Sequence, residues 1–446
     1  MIADPRRTVY IETYGCQMNV SDSELMLGTL AAAGYDAADR PDGADVILVN
    51  TCAIRDHAEQ RVVGRLGELK RYMTKDTIVG VTGCMAQRLG PRLLASAKHV
   101  SLVIGPDGYR ALPELIERAR RGQRVTATEF DLEEHYEDFA PRRFDKVKAW
   151  IPVQRGCDYR CTYCIVPTTR GPERSRQLAD VVHETEAIVA EGMTEVVLLG
   201  QTVNSFHDGA HDFADLLRAV GAVPGLKRLR YTSPHPNDFS LRVIEALAEV
   251  PSVCEHVHLP MQSGSTRTLK RMLRRYSREE YFACVARLRA AVPGLALTTD
   301  VIVGFPGESE ADFEETITAV EAVGFDDAFT FKFSPREGTP ATRMPESETV
   351  PDEVASDRLE RLIQAVRAGA RARNMGMLGG RREVLVEREA RRGDSFLART
   401  RDFKSVLVPR DGVALGDYLT VELTGTTGST FTGSPVHARA ALPMAG

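Results

Sequence analysis

The sequence contains one tryptophan and only eight cysteines in 446 residues, and aromatic residues make up 7% of it. No apolar run approaches the roughly 20 residues that a membrane-spanning helix needs, and the N-terminal segment lacks the hydrophobic core of a signal peptide. Internal repeats and low-complexity tracts are also lacking. With 43% hydrophobic and 27% charged residues, the composition excludes collagen-like, coiled-coil and disordered chains. We therefore expect a soluble, cytoplasmic protein with no membrane partner.

Charge is distributed unevenly along the chain. The 57 Lys and Arg residues stand against 62 Asp and Glu, for a net charge of −5. Residues 371–446 nevertheless carry +4, which leaves −9 on the remainder. A basic segment attached to an acidic body favours a polyanionic partner.

The chain is long enough for about three domains, and its patterns divide it into residues 1–135, 143–373 and 374–442. In the first region, β-rich runs alternate with helical stretches such as Ser23–Ala33, which Ser21 and Glu24 are expected to open as a capping box. This alternation predicts a doubly wound parallel sheet with helices on both faces. The acidic stretch Glu129–Asp138 is expected to be a linker. The β-rich runs are Thr8–Thr13, Asp45–Asn50, Thr77–Thr82 and Ser101–Gly105.

The middle region contains six strand-like runs separated by helical stretches. Six βα units predict an α/β barrel that is incomplete, a partial (β/α)6 barrel with an open side. The helical segment Val354–Asn374 closes the region. The six runs are Ala149–Gln154, Glu195–Leu199, Arg228–Thr232, His256–Leu259, Leu297–Val303 and Ala328–Phe333.

The last region changes character, because short strands there are separated by turns that contain glycine and aspartate. This pattern predicts a small all-β, OB-like barrel. The strand-like runs are Glu383–Arg388, Ser395–Arg399, Ser405–Val408 and Tyr418–Leu423.

Three cysteines, Cys157, Cys161 and Cys164, directly follow the first predicted strand of the middle region. Cysteines in a large chain without a signal segment do not indicate a disulfide framework. A structural zinc site takes four protein ligands, and no second Cys-x-x-Cys pair is nearby. A cubane iron–sulfur cluster held by three thiolates leaves one iron open for a cofactor. We expect such a cluster, and a structural zinc or cluster completed by a distant ligand is the alternative.

This triplet, with Tyr163 directly before its third cysteine, resembles the radical S-adenosylmethionine superfamily. The resemblance implies that a [4Fe–4S] cluster donates one electron to S-adenosylmethionine and releases a 5′-deoxyadenosyl radical. The protein would position that radical and keep water and oxygen away from it.

Cys16, Cys52 and Cys84 are far apart in sequence, but each follows a predicted strand of the first region. The carboxyl ends of parallel strands share one edge of a sheet, so these three thiols can converge. A lone cysteine is usually a buried apolar residue, and we assign Cys254 and Cys284 to packing for that reason. Three cysteines at equivalent strand ends indicate a second three-thiolate iron–sulfur cluster, which the following helix N-termini would favour.

Nearly the whole chain resembles the methylthiotransferase family of radical enzymes. Thr13–Asn19, and Ile165–Pro167 with Thr169–Gly171 after the triplet, are similar to the branch that modifies tRNA carrying an isopentenyl group. Thr168 and Thr202 depart from the residues common in that branch. The resemblance implies an N-terminal domain with an auxiliary [4Fe–4S] cluster (1–135), a radical domain (143–373) and an RNA-binding TRAM barrel (374–442).

Loops at the carboxyl ends of barrel strands usually bind the ligand. Four such loops combine glycine with a small polar side chain, and we expect them to contact S-adenosylmethionine, although a simple turn is the alternative for each. A further run after the last strand supplies an arginine that can fork onto a carboxylate or phosphate. The expected cofactor-binding residues are Tyr163, Gly200, Gln201, Ser233, Gln262, Ser263, Gly304 and Arg336.

Two groups of basic residues are expected to contact RNA. One group follows the cysteine triplet and can face a phosphate backbone, with a solvated basic face as the alternative. The other surrounds a phenylalanine of the last region, which suits phosphate contact combined with stacking on an unpaired base. The groups are Arg170, Arg174 and Arg176, and Arg399, Arg401, Phe403 and Lys404.

Together with the resemblance, these features predict an enzyme that converts a C–H bond of isopentenyl-adenosine, immediately 3′ of the tRNA anticodon, into C–SCH3. The resemblance implies two molecules of S-adenosylmethionine: one methylates sulfur on the auxiliary cluster, and the other yields the radical that removes hydrogen from base carbon 2. We expect the tRNA anticodon stem–loop, an external electron donor and a sulfur or iron–sulfur donor as partners. The enzyme is expected to be a monomer.

Two alternatives remain open. The first is the same chemistry on an aspartate of a ribosomal protein, which activity without tRNA would select. The second is a non-catalytic iron–sulfur protein that binds RNA and senses oxidants. Such a protein would never consume S-adenosylmethionine, whereas salt-sensitive tRNA binding would not separate it from the enzyme.

Overall fold

A computed structural model describes residues 7–53, 56–136, 140–391 and 393–436, with the backbone alone for residues 56–60. The chain forms a six-stranded sheet domain, a partial α/β barrel and a closed β-barrel, in that order. The expected linker and the expected last region both extend beyond this part of the chain, since residues 137–138 and 437–442 lie outside the described residues. In the described part, no helix is both long and apolar enough to cross a membrane.

The N-terminal domain is built on parallel strands with helices on both faces. Its elements are β1 (Arg7–Thr13), α1 (Gln17–Ala32), β2 (Tyr35–Ala37), β3 (Val46–Thr51), α2 (Asp56–Leu69), β4 (Ile78–Gly83), α3 (Cys84–Leu89), α4 (Pro91–Ser96), β5 (Leu102–Ile104), α5 (Leu112–Arg120) and β6 (Val125–Ala127). The sheet order is β2-β1-β3-β4-β5-β6. Strands β3 and β4 are buried along their whole length, as parallel strands between two helical layers should be. The predicted parallel sheet is confirmed, although the edge strands β2 and β6 were missed.

Helix α1 begins earlier than the sequence predicted. Its N-terminus is at Cys16, whose backbone N–H donates to Oδ1 of Asn19 over 3.3 Å. Ser21 and Glu24, which were expected to form the capping box, lie inside the helix and are buried. The expectation was wrong because Asn19 already satisfies the first turn. As a result, Cys16 lies at the N-terminus of α1, in the short connection that follows β1.

The middle domain is a partial barrel of six parallel strands. Its elements are β7 (Lys148–Pro152), β8 (Gln154–Arg155), α6 (Val166–Arg170), β9 (Arg174–Ser175), α7 (Leu178–Ala190), β10 (Glu195–Leu199), α8 (Phe213–Gly221), β11 (Arg228–Tyr231), α9 (Leu241–Glu249), β12 (His256–His258), α10 (Thr266–Arg271), α11 (Arg278–Ala291), β13 (Ala296–Val303), α12 (Glu310–Val323), β14 (Asp327–Lys332) and α13 (Asp352–Met375). Six of its strands form two parallel sheets, β7-β10-β11 and β12-β13-β14, which a bridge from Leu229 to Val253 joins, and the short strands β8 and β9 form a separate antiparallel pair. The helices cover the outer face with one apolar core. The predicted partial barrel is confirmed.

The C-terminal domain is a closed five-stranded barrel, as predicted. Its strands are β15 (Arg381–Glu389), β16 (Ser395–Thr400), β17 (Ser405–Pro409), β18 (Tyr418–Thr426) and β19 (Thr430–Pro435), in the order β15-β16-β17-β19-β18. Alternate residues such as Val384, Val406 and Phe431 fill its interior. The sequence missed β19, because its Thr-Phe-Thr-Gly-Ser-Pro run contains residues typical of turns.

This small barrel packs against the amino ends of the middle-domain strands. Lys148, at the start of β7, forms an ion pair with Glu387 at 3.2 Å, and Arg228, at the start of β11, pairs with Glu383 at 3.0 Å. The amino ends are therefore occupied by the C-terminal barrel. The carboxyl ends of the same strands remain for the cysteine triplet and the ligand loops.

Candidate active site

The inner face of the partial barrel, meaning the side of its strands opposite the covering helices, is partly open. Val301 of β13 enters the helix-covered core, so its neighbour Asp300 points to the inner face. On the neighbouring strand β14, Phe329 lies opposite Asp300 and is 60% exposed. Phe331, two residues further along β14, is 37% exposed. His258 Nε2 lies 3.3 Å from Oδ2 of Asp300. Aromatic rings and a hydrogen-bonding pair thus line one wall.

The opposite wall of the inner face meets the N-terminal domain. Trp150 of β7 pairs with Val197 of β10, and both belong to an apolar cluster that also contains Leu199. Met18 and Cys16, from the start of α1, pack into the same cluster. The first cysteine of the N-terminal domain therefore borders the inner face of the middle domain.

Cys16, Cys52 and Cys84 lie together at the carboxyl edge of the N-terminal sheet. They follow β1, β3 and β4, which are neighbours in the sheet. The approach is close enough that a Cβ on Gly15, which has φ +144°, would lie 2.8 Å from Cβ of Cys52. A hydrogen bond from Cys52, opposed by burial, lowers the pKa of Cys16 to about 6.

Guanidinium groups of the middle domain face this first cysteine set. Nε of Arg170 donates to Sγ of Cys84 over 3.1 Å. Burial raises the pKa of Cys84, and Arg170 opposes that rise. Arg336 is near Cys52: burial lowers the pKa of Arg336, and the charge of Cys52 opposes that change. Positive charge beside the thiols is what an anionic cluster requires.

The loop of the second cysteine set is fixed by two glutamines. The backbone N–H of Gly156 donates to Oε1 of Gln201 over 2.6 Å, and Nε2 of Gln154 donates to the Gly156 carbonyl over 2.8 Å. Oε1 of Gln154 in turn accepts from the Gln201 N–H over 2.8 Å. Gly156 has φ +73°, and a Cβ there would lie 1.8 Å from the Pro172 carbonyl oxygen. Only glycine fits this turn before Cys157.

Each thiol of the triplet has a defined environment. Sγ of Cys157 lies 3.2 Å from Oγ1 of Thr202, and Nη1 of Arg274 donates to Sγ of Cys161 over 3.5 Å. The Cys164 N–H donates to the Cys161 carbonyl over 3.0 Å, which makes a tight turn. Burial raises the pKa of Cys164 to about 12. A thiolate at that position therefore needs a bound cation or cluster.

Both cysteine sets have the donor chemistry of an iron–sulfur cluster, which is three thiols with positive charge beside them. Among the residues that the structure describes, no three Cys, His, Asp or Glu side chains converge tightly enough to hold one metal ion. A cubane distributes its thiolate ligands over several irons and so needs a wider set. Each set also has an arginine directly on one sulfur, Arg170 on Cys84 and Arg274 on Cys161.

Known proteins resemble this chain over most of its length. The model described as "Uncharacterized protein family UPF0004" matches residues 8–105, and the "Radical SAM superfamily" matches residues 151–320. The tRNA-2-methylthio-N(6)-dimethylallyladenosine synthase of Solibacter usitatus is 44% identical over 88% of this chain and 89% of its own length. The protein of the same name from Bacteroides fragilis is 41% identical over 97% of each chain. The chain belongs to the tRNA-2-methylthio-N(6)-dimethylallyladenosine synthase family.

Membership of this synthase family confirms the predicted radical class and the predicted cofactors, [4Fe–4S] clusters and S-adenosylmethionine. The fold is shared with a solved structure, the radical S-adenosylmethionine methyltransferase TsrM from Kitasatospora setae. That chain has a TM-score of 0.57 and 18% identity, over 75% of this chain and 74% of its own. At this identity the likeness concerns the fold alone.

Three of the residues expected to bind the cofactor in this synthase family lie at or beside the triplet. Gln201 holds Gly156, and a Cβ on Gly200 would lie 2.7 Å from Oε1 of Gln154. Tyr163 packs against Phe305, and burial raises its pKa well above the usual value. These residues stay candidates for contact with S-adenosylmethionine.

The remaining expected cofactor residues are more scattered. Ser233 and Gln262 both have left-handed backbone, at φ +58° and φ +66°, at the carboxyl ends of β11 and β12. The N–H of Gly304 donates to Glu308 over 2.7 Å. Ser263 is fully buried, and its hydroxyl lies 3.3 Å from that of Thr316, so it stabilises its own loop. Arg336 is close enough to Cys52 for the charge of that cysteine to affect its pKa.

The first expected RNA-binding group is not on an accessible surface. Arg170, Arg174 and Arg176 are all buried. Arg174 forms an ion pair with Asp107 at 3.1 Å, and Arg176 pairs with Glu184 at 2.6 Å. The expectation was wrong because carboxylates already neutralise these arginines, and those that pair with Arg170 and Arg174 lie 148 and 67 residues away in sequence.

The second expected RNA-binding group mostly holds the C-terminal barrel to the middle domain. Arg401 forms an ion pair with Glu255 at 2.8 Å, and Lys404, which is buried, pairs with Asp326 at 2.8 Å. Arg399 is likewise paired, with Glu387 at 3.2 Å. Phe403 is 42% exposed but stacks on His256 at 4.5 Å between centroids. These side chains therefore form a domain interface.

Sequence reasoning missed four residues that shape the site. Gln154 and Arg274 fix the triplet loop and its second thiol, and Phe329 and Phe331 line the inner face. The two phenylalanines had a sequence signal, because aromatic residues two apart in a strand share one face. Arg274 had none, since it lies 113 residues from Cys161.

Proposed function

We propose that this chain transfers a methylthio group to base carbon 2 of isopentenyl-adenosine immediately 3′ of the tRNA anticodon. The observation that carries the proposal is the position of the two cysteine sets. One set occupies the loop after β8, and the other borders the inner face through Cys16, which packs with Trp150 and Val197. Relatives named for this product span nearly the whole chain and support the same substrate.

The chain's own residues would hold two clusters. When bound, the clusters and S-adenosylmethionine supply a carbon radical and a transferable sulfur. A radical is needed because an aromatic C–H bond is too strong for acid–base chemistry at neutral pH. Gln154 and Gln201 fix the loop around one cluster site, and Arg274 donates to one of its sulfurs. The radical cluster would be held by Cys157, Cys161 and Cys164, and the auxiliary cluster by Cys16, Cys52 and Cys84.

The exposed wall of the inner face suits a nucleobase. Phe329 and Phe331 offer two rings on which an unpaired base or an isopentenyl chain can pack. Beside them, Nδ1 of His258 lies 2.9 Å from Oγ1 of Thr298, and Nε2 faces Asp300. An aromatic wall with polar groups at its edge fits an adenine better than the small carboxylate of an aspartate. This wall favours the tRNA substrate over the ribosomal-protein alternative.

The C-terminal barrel is assigned to the tRNA anticodon arm. Since Arg399, Arg401 and Lys404 are paired at the domain interface, contact with phosphates falls to exposed arginines such as Arg381 and Arg388. The net charge of +4 on residues 371–446 is consistent with that role. An external electron donor and a sulfur donor complete the reaction, and the chain acts as a monomer.

The proposal is tested by an anaerobic reaction of protein reconstituted with iron and sulfide. Separate reactions receive S-adenosylmethionine, a reductant and one of three substrates: tRNA bearing isopentenyl-adenosine, the same tRNA without the isopentenyl group, or ribosomal protein. Mass spectrometry of the digested products should show a methylthio group only on isopentenyl-adenosine.

The outcomes separate the alternatives. A methylthio group on ribosomal protein, with none on tRNA, would overturn the substrate and select the protein-modifying activity. Binding of tRNA without consumption of S-adenosylmethionine, by protein shown to hold two clusters, would select the non-catalytic alternative. Cys254→Ala should keep the methylthiotransferase activity, because Cys254 is buried and belongs to neither cysteine set.

A further inference from the structure

Arg170 belongs to the middle domain, yet it contacts a cysteine of the N-terminal domain. It ends helix α6, is 3% exposed, and donates from Nε to Sγ of Cys84 over 3.1 Å. Its two other nitrogens hold both oxygens of Asp22, at 3.3 Å for Nη1 and 2.6 Å for Nη2. Ile165, at the start of the same helix, also packs against Cys84. The side chain is therefore held rigidly, with one donor aimed at the sulfur.

This contact is part of a buried charge network between the two domains. The N-terminal domain supplies Asp22 and Asp107, and the middle domain supplies Arg155, Arg170 and Arg174. The guanidinium of Arg155 lies 3.8 Å from Asp22 and 3.6 Å from Asp107. All five side chains are buried.

The network holds more positive than negative charge. Three guanidinium groups face two carboxylates, and none of the nitrogens of the Arg155 guanidinium makes a hydrogen bond within the described part of the chain. A buried excess of one charge is costly unless a further group of opposite charge lies nearby. The sulfur of Cys84, to which Arg170 donates, can supply negative charge to this network as the ligand of an anionic cluster.

We infer that Arg170 is a positioning residue that donates a charged hydrogen bond to the Cys84 ligand of the auxiliary cluster and raises the reduction potential of that cluster. Hydrogen bonds to the sulfurs and net charge both set such potentials. A donor that carries positive charge stabilises the reduced, more negative cluster more than the oxidised one. The inference rests on the proposed function, since it takes Cys16, Cys52 and Cys84 as cluster ligands.

Arg170 also links the two domains that hold the cysteine sets. Arg170 follows Cys164 by six residues. The domain that holds the radical cluster therefore also adjusts the reduction potential of the auxiliary cluster. The radical cluster itself is served by a different arginine, Arg274, on Cys161. Substitution of Arg170 should therefore change the reduction potential of the auxiliary cluster and leave that of the radical cluster unchanged.

The test uses two backgrounds of the full chain, reconstituted with iron and sulfide. Cys157→Ala/Cys161→Ala/Cys164→Ala leaves only the auxiliary site. Cys16→Ala/Cys52→Ala/Cys84→Ala leaves only the radical site. In each background, a reductive titration followed by electron paramagnetic resonance gives the reduction potential and the spectrum of the single remaining cluster, without tRNA or S-adenosylmethionine.

Arg170→Gln is introduced into both backgrounds, and Arg170→Gln/Asp22→Asn keeps the site free of an unpaired buried carboxylate. We expect both variants to shift the auxiliary potential to a lower value, with a smaller shift in the double variant because a negative charge is also removed. The radical-site potential should not move. Arg176→Gln is the control, since Arg176 is also buried but pairs with Glu184 at 2.6 Å.

An auxiliary cluster with unchanged potential and spectrum in the double variant would overturn the inference. An equal shift in the Arg176→Gln control would also overturn it, because the effect would then be one of general destabilisation. If no cluster assembles on Cys16, Cys52 and Cys84, both the inference and the proposed function fail. A shifted potential in protein that never methylthiolates tRNA would leave the inference standing and reject the proposed function alone.

Discussion

The backbone N–H of Gly156 and Oε1 of Gln201 lie 2.6 Å apart, which fixes the cysteine triplet to the loop after the next barrel strand. Gln154 completes this lock from the strand before the triplet. The loops after two neighbouring strands are therefore tied together directly before Cys157. The fold itself thus organises this part of the site.

The two cysteine sets should fail in different ways. Cys161→Ala removes a ligand of the radical cluster and should abolish cleavage of S-adenosylmethionine. Cys52→Ala should retain cleavage but lose sulfur insertion. Chromatographic measurement of 5′-deoxyadenosine, with mass spectrometry of the tRNA nucleosides, distinguishes the two defects. Formation of deoxyadenosine by Cys161→Ala at the wild-type rate would contradict the assignment.

Gly156→Ala should prevent assembly of the radical cluster. The new Cβ would lie 1.8 Å from the Pro172 carbonyl oxygen, so the loop must move and the thiols must separate. Gly209→Ala is the matched control, since Gly209 also has positive φ, +99°, with nothing within 4 Å. Iron analysis should show loss of about one cluster in the first variant and none in the control. Equal iron contents would contradict the prediction.

Glu24 should make stability depend on pH. Its Oε1 accepts from the Phe144 N–H over 2.8 Å, and burial raises its pKa from 4.5 to about 7. The folded state thus favours the protonated acid, and stability is lost as pH rises from 4.5 through 7. Glu24→Gln removes that loss. Above neutral pH, the free energy of unfolding of the variant should therefore exceed that of the wild type by roughly 3 kcal/mol.

Urea unfolding of Glu24→Gln and wild type at about pH 5 and about pH 8 measures this difference. The two proteins should be similar at the lower pH and should diverge at the higher one. Parallel behaviour at both values would show that Glu24 is already ionised in the folded protein.

Phe329→Ala should weaken use of the tRNA substrate. Loss of one base-stacking ring costs about 1–3 kcal/mol, or roughly 5- to 150-fold in kcat/KM for tRNA. Slow cleavage of S-adenosylmethionine without tRNA should persist, because the ring is on β14 rather than in the triplet loop. Phe144→Ala is the control, since Phe144 is 50% exposed outside the barrel. An unchanged kcat/KM would remove Phe329 from the substrate wall.

Arg401→Ala should act through stability rather than through a phosphate contact. Arg401 forms an ion pair with Glu255 at 2.8 Å and donates to the Val253 carbonyl over 2.7 Å. Its loss should destabilise the C-terminal interface by roughly 1–3 kcal/mol. Arg388, which is exposed, should show the opposite pattern: Arg388→Ala should weaken tRNA binding at low salt with little change in the melting temperature. Similar melting temperatures for both variants would contradict the interface role.

Much of the fold could be predicted from the sequence, because β-rich runs alternate with regular helical stretches along the middle domain. Glu195–Leu199 was predicted with the bounds that the structure has. The three-residue edge strands β2 and β6 could not be predicted, since they are too short to show a period.

The candidate site was predictable only where its residues are close in sequence or equivalent in position. The triplet has a short spacing, and Cys16, Cys52 and Cys84 share a place after a strand. Partners that are brought together by folding left no signal. Asp22 lies 148 residues from Arg170, and nothing in the local sequence distinguishes a buried arginine from one that faces RNA.

The central claim is that both cysteine sets serve one reaction on base carbon 2 of isopentenyl-adenosine. The most direct test uses tRNA with deuterium at that carbon, incubated anaerobically with reconstituted protein, S-adenosylmethionine and a reductant. The account predicts that 5′-deoxyadenosine gains deuterium while the same nucleoside exchanges its deuterium for a methylthio group. Deoxyadenosine without deuterium, from tRNA that carries no methylthio group, would contradict it.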